Sequence, residues 1–198
     1  HHPATGGIIP PAAPGHSPDL GLPFDPDRAR SLLTAEDRAE LEARPLRILA
    51  ADSGRDIAEF VVRSWYERLD LSVELTVLAF VDFLTAVLEP GWDGLIGATT
   101  GVVYPQFLLR GVLYARFKQV PFPLLSSRAD VEWALEPATI DERLARFREL
   151  DRRITQDALS VPLFYLNSYM LVQPWVSGFR AEPAPVANFE DVIVDFPA

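Results

Sequence analysis

The chain has 198 residues, a length that fits one domain or one large lobe of a longer protein. Hydrophobic residues make up 48% of it and charged residues 23%, a balance that indicates a packed core and excludes an intrinsically disordered chain. The formal net charge is −10, basic residues alternate with acidic ones, and there is no cysteine, so the composition excludes a nucleic-acid-binding stripe, disulfide bonds and thiolate metal sites.

Proline and glycine dominate residues 1–24 and interrupt any regular pattern there. We interpret this segment as a linker or a surface-wrapping arm, and residues 25–198 as a single α/β lobe. The opening residues HHPATGGIIPP lack a charged stretch followed by an apolar one, so no signal peptide is predicted in them.

Two short helices are predicted next. Asp25 precedes Pro26, which suits the first helical position because an N–H there would have no partner within the helix. Thr34, with Asp37 three residues later, has the spacing of a capping box. This spacing predicts a second helix start and a helix that runs to Ala43.

A strand–helix–strand unit follows. Leu46–Ala51 and Val73–Leu78 are apolar runs of strand length, and Arg55–Leu69 between them is helical in its pattern. Ser53 and Asp56 have capping-box spacing, so Ser53 is predicted to cap this helix. Two strands joined in this way are expected to lie side by side and parallel, with a right-handed crossover.

Three further elements are predicted before residue 136. Residues 81–88 have apolar side chains at helical spacing, and Pro90 and Gly91 end that helix. Residues 92–100 predict a third strand, and residues 129–135 a short helix.

The clearest helix of the chain begins after Thr139, which forms a capping-box pair with Glu142. Its apolar residues share one predicted face, namely Ile140, Leu144, Phe147, Leu150 and Ile154. Two aromatic-rich strands are predicted after it, at residues 161–167 and 169–173. A membrane span across the uncharged residues 158–179 is the alternative, but prolines, a glycine and polar residues interrupt it and favour the strands.

No catalytic motif is found. The nucleophile-elbow, zincin, P-loop and dinucleotide-binding patterns are absent from the sequence. His16 is the one histidine beyond the first two residues, and it lies in a proline- and glycine-rich loop without a second metal ligand nearby. Ser53, ahead of the Arg55–Leu69 helix, could help seat an anion, but a helix cap is the simpler interpretation. We therefore predict no enzymatic activity, no cofactor and no metal.

Segments in two regions of the sequence resemble a known family. SGRDIAEFV before a VELTVL strand, and VPLFYLN, QPWVSGF and PVANFEDVIVD near the end, resemble the C-terminal lobe of family 5 extracellular solute-binding proteins. These are the peptide- and nickel-type receptors of ABC importers. The resemblance implies a mixed sheet flanked by helices, as one lobe of a two-lobed, periplasmic-binding-protein-like receptor. It also implies an extracellular, cell-surface or periplasmic location.

The same resemblance implies the partners and the ligand site. The partners would be a small solute or oligopeptide, the missing N-terminal lobe of the same chain and the membrane permease. The family places a W-x-x-D-Y-P-D-P segment in its cleft, and only Tyr104 and Pro105 match it, with Thr100 at the tryptophan and Val103 at the first aspartate. We expect seven ligand-binding residues: Thr100, Val103, Tyr104, Gln106, Tyr165, Asn167 and Tyr169. For each tyrosine, a half-buried packing role is the alternative.

A second function stays open. Loss of the cleft aspartate at Val103 also fits a receptor-like sensor or regulatory module within a longer signalling protein, with an eroded ligand site. Such a protein would be cytoplasmic.

Overall fold

The computed structural model describes residues 2–97, 133, 136–166, 169–180 and 189–196. In chain order the elements are β1 (His2–Pro3), α1 (Pro26–Leu32), α2 (Ala35–Ala43), β2 (Leu46–Ala51), α3 (Arg55–Leu69), β3 (Val73–Leu78), α4 (Phe80–Ala86), β4 (Gly94–Ile96), α5 (Ile140–Gln156), β5 (Phe164–Tyr165), β6 (Val176–Ser177) and β7 (Ile193–Val194). Contacts divide the described residues into two compact units. The first comprises residues 2–22 and the part from residue 133 onward, and the second comprises residues 23–97.

The second unit is built on a parallel sheet with the strand order β3-β2-β4. Leu46 pairs with Val73 and Ala51 with Leu78, while Ile48 pairs with Gly94 on the other side of β2. Four consecutive residues of β2, from Ile48 onward, are buried, as expected for a central strand covered on both faces. The predicted parallel pairing of the first two strands is confirmed.

The helices α1 and α2 begin where the sequence predicts. The Asp25 carboxylate accepts a hydrogen bond from the backbone N–H of Arg28 at 2.9 Å. Thr34 and Asp37 bond each other's backbone N–H groups, which completes the predicted capping box. Helix α4 occupies most of the predicted 81–88 segment and begins one residue earlier.

The predicted cap of α3 is wrong. Asp52–Gly54 forms a single 3₁₀ turn, the residue preceding the helix is Gly54, and no side chain caps it. The Ser53 backbone N–H instead donates a hydrogen bond to the Asp52 carboxylate at 2.8 Å. Because the helix begins one residue later than the capping spacing requires, the Ser53 hydroxyl is in the wrong position.

The predicted third strand is shorter than expected, with pairing only over β4 within the part that is described. Trp92 and Asp93 lie in the irregular segment before β4 instead. The Trp92 indole N–H donates to the Ala86 carbonyl at 2.9 Å, and Gly91 adopts a φ of +107°. This left-handed backbone suits a glycine and re-aims the chain into the sheet.

Asp93 fixes β4 to the start of β2. Its carboxylate accepts the Arg47 N–H at 2.9 Å and two guanidinium nitrogens of Arg44 at 3.2 Å. Partial burial alone would raise the pKa of Asp93, but these hydrogen bonds and the charges of both arginines outweigh it and hold the pKa below its ordinary value.

We expect Asp93→Asn to lower the free energy of unfolding of the second unit by about 1–2 kcal/mol, since an amide cannot form the charge-assisted bonds to Arg44. A lowered folded-state pKa means that this contribution is present above the pKa of the unfolded aspartate and is lost as pH falls through the folded pKa. Urea unfolding at neutral pH and in acid measures it. A deficit that is the same at both pH values would contradict the assignment.

The core of the first unit packs around α5, whose Thr139–Glu142 capping box is confirmed. Phe147, Leu150 and Ile154 are buried together with Ile9, Ala13 and Leu159. Residues 1–24 therefore include strand β1 and two core side chains, although the sequence predicts no regular element there. Ile140 is 77% exposed, because it occupies the first turn of α5, beyond this core.

The predicted strands at 161–167 and 169–173 are largely absent from the described residues. Only β5 forms in the first of them, antiparallel to β1, and residues 169–173 form no strand. Strands β6 and β7 pair further along the chain. In the part of the chain that the structure describes, no helix has the length and apolar character needed to cross a membrane.

Candidate functional site

The carboxyl ends of the three parallel strands lie at one edge of the sheet, which is where open α/β sheets bind ligands. Strand β2 leads into Asp52 and Ser53, β3 leads into Ala79 and Phe80, and β4 leads into Gly97. We call these residues, together with Gly54, the carboxyl edge.

The carboxyl edge is open to solvent. A Cβ atom added to Gly54 or Gly97 would meet no atom within 4 Å. The Phe80 ring is 57% exposed, and Asp52 carries an exposed carboxylate. The edge thus presents an apolar ring and a negative charge, which can contact an apolar side chain and an ammonium group.

The carboxyl edge offers no set of residues for covalent chemistry. It contains no histidine or lysine to act as a base beside Ser53. Among the described residues, no group of three or more histidines, aspartates or glutamates could hold a metal ion.

The sequence-predicted site falls mostly outside the described residues. Thr100, Val103, Tyr104, Gln106 and Asn167 lie there, so their roles stay predictions. The other two, Tyr165 and Tyr169, belong to the first unit.

Those two tyrosines differ in their surroundings. Tyr169 is 83% exposed, which leaves its ring available to a ligand. Tyr165 is half-buried, and its hydroxyl donates to the Gly7 carbonyl at 2.7 Å. Burial, together with the nearby negative charge of Asp151, raises the pKa of Tyr165 above its ordinary value. Its structural contact matches the packing role that the sequence left as the alternative.

A buried carboxylate in the first unit escaped sequence reasoning. Asp151 of α5 is fully buried, and its two oxygens accept the backbone N–H groups of Ile8 at 2.7 Å and Ile9 at 3.4 Å. Burial raises the pKa of Asp151, although both hydrogen bonds and the nearby His16 act in the opposite direction. The signal was in the helix periodicity, because Asp151 follows Phe147 by four residues and so lies within the apolar stripe.

Comparison with known proteins gives matches among solved structures only. No family model matches the chain, and no curated protein matches it. HbpA2 from Haemophilus parasuis is 18% identical, with a TM-score of 0.70 over 96% of this chain and 39% of its own. DppA from Helicobacter pylori, an ABC transporter-associated periplasmic binding protein in complex with the peptide STSA, is 17% identical, with a TM-score of 0.65 over 95% of this chain and 38% of its own.

The Escherichia coli murein tripeptide binding protein MppA is similar to the same degree. It is 17% identical, with a TM-score of 0.64 over 97% of this chain and 40% of its own. The chain therefore spans about two fifths of the length of the solved proteins it matches. At these identities the matches establish the fold.

Proposed function

We propose that this chain, which has the fold of one lobe of the family 5 periplasmic binding proteins, contributes one wall of a solute-binding cleft. The solute class is oligopeptide, and the receptor serves an ABC importer outside the cytoplasmic membrane. The observation that carries this proposal is the match of 95–97% of the chain to one part of proteins described as binding peptides.

The open carboxyl edge supports this proposal physically. A ligand there would meet Phe80 and Asp52 on one side and water on the other, because one lobe supplies only one wall. A second lobe of the same receptor would close over the solute by a hinge motion, and the ligand would shift the population toward the closed form. The closed receptor would then deliver the solute to a membrane permease.

Titration calorimetry with di- to pentapeptides tests the proposal. We expect the complete two-lobed receptor to bind some of them and the 198-residue chain alone to show no measurable binding, because the contacts from the second lobe are missing. Micromolar binding by the chain alone would remove the two-lobe part of the proposal. Absence of binding by the complete receptor would remove the peptide part.

The predicted position of Val103 gives a sharper test within the complete receptor. Val103→Asp should tighten binding of peptides with a free amino terminus by about tenfold or more, because a charge-assisted hydrogen bond in a closed cleft contributes about 1.5–3 kcal/mol. N-acetylated peptides are the matched control and should gain nothing, and Val102→Asp should have no such effect. Equal gains for both peptide types would show that Val103 is not at the amino-terminal subsite.

A further inference from the structure

The last part of the chain carries large apolar side chains on its surface. We call the described residues 170–180 and 189–196 the C-terminal segment, and none of them is buried. Leu171 is fully exposed, Phe189 is 67% exposed and Phe196 is 79% exposed. Exposed apolar side chains concentrated in one part of a protein mark an interaction site.

The strands of the C-terminal segment have few partners. Strands β6 and β7 pair over two residues each, and in the described part of the chain neither has a second neighbour. Ile193 and Val194 of β7 are both exposed, and because successive strand residues point to opposite faces, neither face of the ladder is covered. A lone two-stranded ladder is marginal in water, so further strands would stabilise this one.

The missing strand at residues 169–173 fits the same explanation. These residues lie in the uncharged stretch 158–179, and their apolar composition predicts a strand. In the structure they form none. A strand needs a partner for its N–H and C=O groups, and chain outside these 198 residues could provide one.

The remainder of the receptor is the occupant that the comparisons favour, a step that rests on the proposed function. Two of the solved proteins match 95% and 97% of this chain, a share too large to omit the whole C-terminal segment. The match accounts for only 38% and 40% of their own lengths. Proteins of this fold therefore contain much additional chain that could cover the segment.

The net charge of −10 disfavours the other occupants. Two copies of the chain would repel each other over long range, and an anionic bilayer surface would repel each copy. Covalently connected chain has a high effective concentration at the segment, so it can pack there without long-range attraction.

We propose that the C-terminal segment is the surface on which the remainder of the receptor chain packs, adding strands to its edges and covering Leu171, Phe189 and Phe196. The contact is present with and without peptide, because exposing these side chains at each opening of the receptor would cost hydrophobic free energy. In this respect the segment differs from the carboxyl edge, which has to open to admit solute.

Amide exchange and cysteine labelling in the complete receptor test this proposal. The amides of Leu171 and Val172 should have protection factors of about 100 or more, because exchange then requires local opening. Leu171→Cys should react with a maleimide about 100-fold more slowly than Arg148→Cys, the matched control on the exposed side of α5. Added peptide should change neither result. The exchange measurement needs no substitution, so it stands if a variant fails to fold.

Three outcomes would overturn the proposal. The first is equal labelling of the two cysteines, with unprotected amides at Leu171 and Val172. The second is protection that appears only after peptide is added, since Leu171 would then line the cleft. The third is protection that is lost on dilution, since a second copy would then be the cover.

Titration calorimetry on the same receptor separates this proposal from the proposed function. A receptor that binds peptide while Leu171→Cys labels freely would remove the packing proposal alone. A receptor that shields Leu171 and binds no peptide would support the packing proposal and remove the peptide assignment.

Discussion

Leu150→Ala is expected to lower the free energy of unfolding of the first unit by about 3–5 kcal/mol. The side chain is 1% exposed and lies in the cluster formed by Ile9, Phe147 and Ile154. Truncation removes the transfer free energy of the leucine side chain. It also leaves a cavity that the surrounding core side chains cannot fill. Loss of amide protection in α5 and thermal unfolding both measure the effect.

Ile140→Ala is the matched control on the same helix. Ile140 belongs to the same predicted stripe but is 77% exposed, so its truncation should change the free energy of unfolding by less than about 0.5 kcal/mol. Equal losses at the two positions would mean that the core extends to the first turn of α5.

Gly7→Ala is expected to lower the free energy of unfolding by about 2–4 kcal/mol. Its Cβ atom would lie 2.2 Å from Asp151 Oδ1, so either the main chain at Gly7 or the carboxylate must move. Movement breaks the bonds to Ile8 and Ile9 and leaves a buried charge poorly solvated. Chemical denaturation of the variant measures the loss.

Two comparisons isolate the cause of that loss. Gly97→Ala places its Cβ atom in open space and should be nearly neutral. In an Asp151→Ala background the obstructing carboxylate is gone, so Gly7→Ala should cost less than in the unchanged chain. If its cost is the same in both backgrounds, the steric account of Gly7 is wrong.

The features that the sequence predicted well are local. A cap such as Thr34 or Thr139 depends on residues within one helical turn, and both formed as predicted. The parallel pairing of β2 with β3 follows from the helical crossover α3 that joins them and from the handedness of such crossovers. The prediction that Ser53 caps α3 was wrong because a 3₁₀ turn shifts the start of the helix by one residue. Hydrophobic periodicity does not reveal such a shift.

The features that the sequence missed depend on long-range packing. Phe60 has the spacing of an apolar-face residue, yet it is 67% exposed, because the buried stripe centres on Ala58 and Phe60 lies about 200° around the helix from it. In the sequence, Asp151 looks like one of the charged residues of its helix. In the structure it is bonded by the N–H groups of Ile8 and Ile9, which are more than 140 residues away. The carboxyl edge could be located from strand direction alone, but the exposure of Phe80 could not.

The contact of Ile8 and Ile9 with α5 also sets the order in which parts of the chain can fold during synthesis. Every strand of the β3-β2-β4 sheet lies between residues 46 and 96, so that sheet can form early on a growing chain. The hydrogen bond from Ile8 to Asp151 joins residues that are 143 positions apart. At a synthesis rate of about 5–20 residues per second, Asp151 is therefore added roughly 7–30 s after Ile8. Throughout that interval Ile8 and Ile9 are followed directly by Pro10 and Pro11, which cannot donate to a strand ladder. The two prolines thereby act as gatekeepers that limit intermolecular strand pairing until α5 emerges from the ribosome.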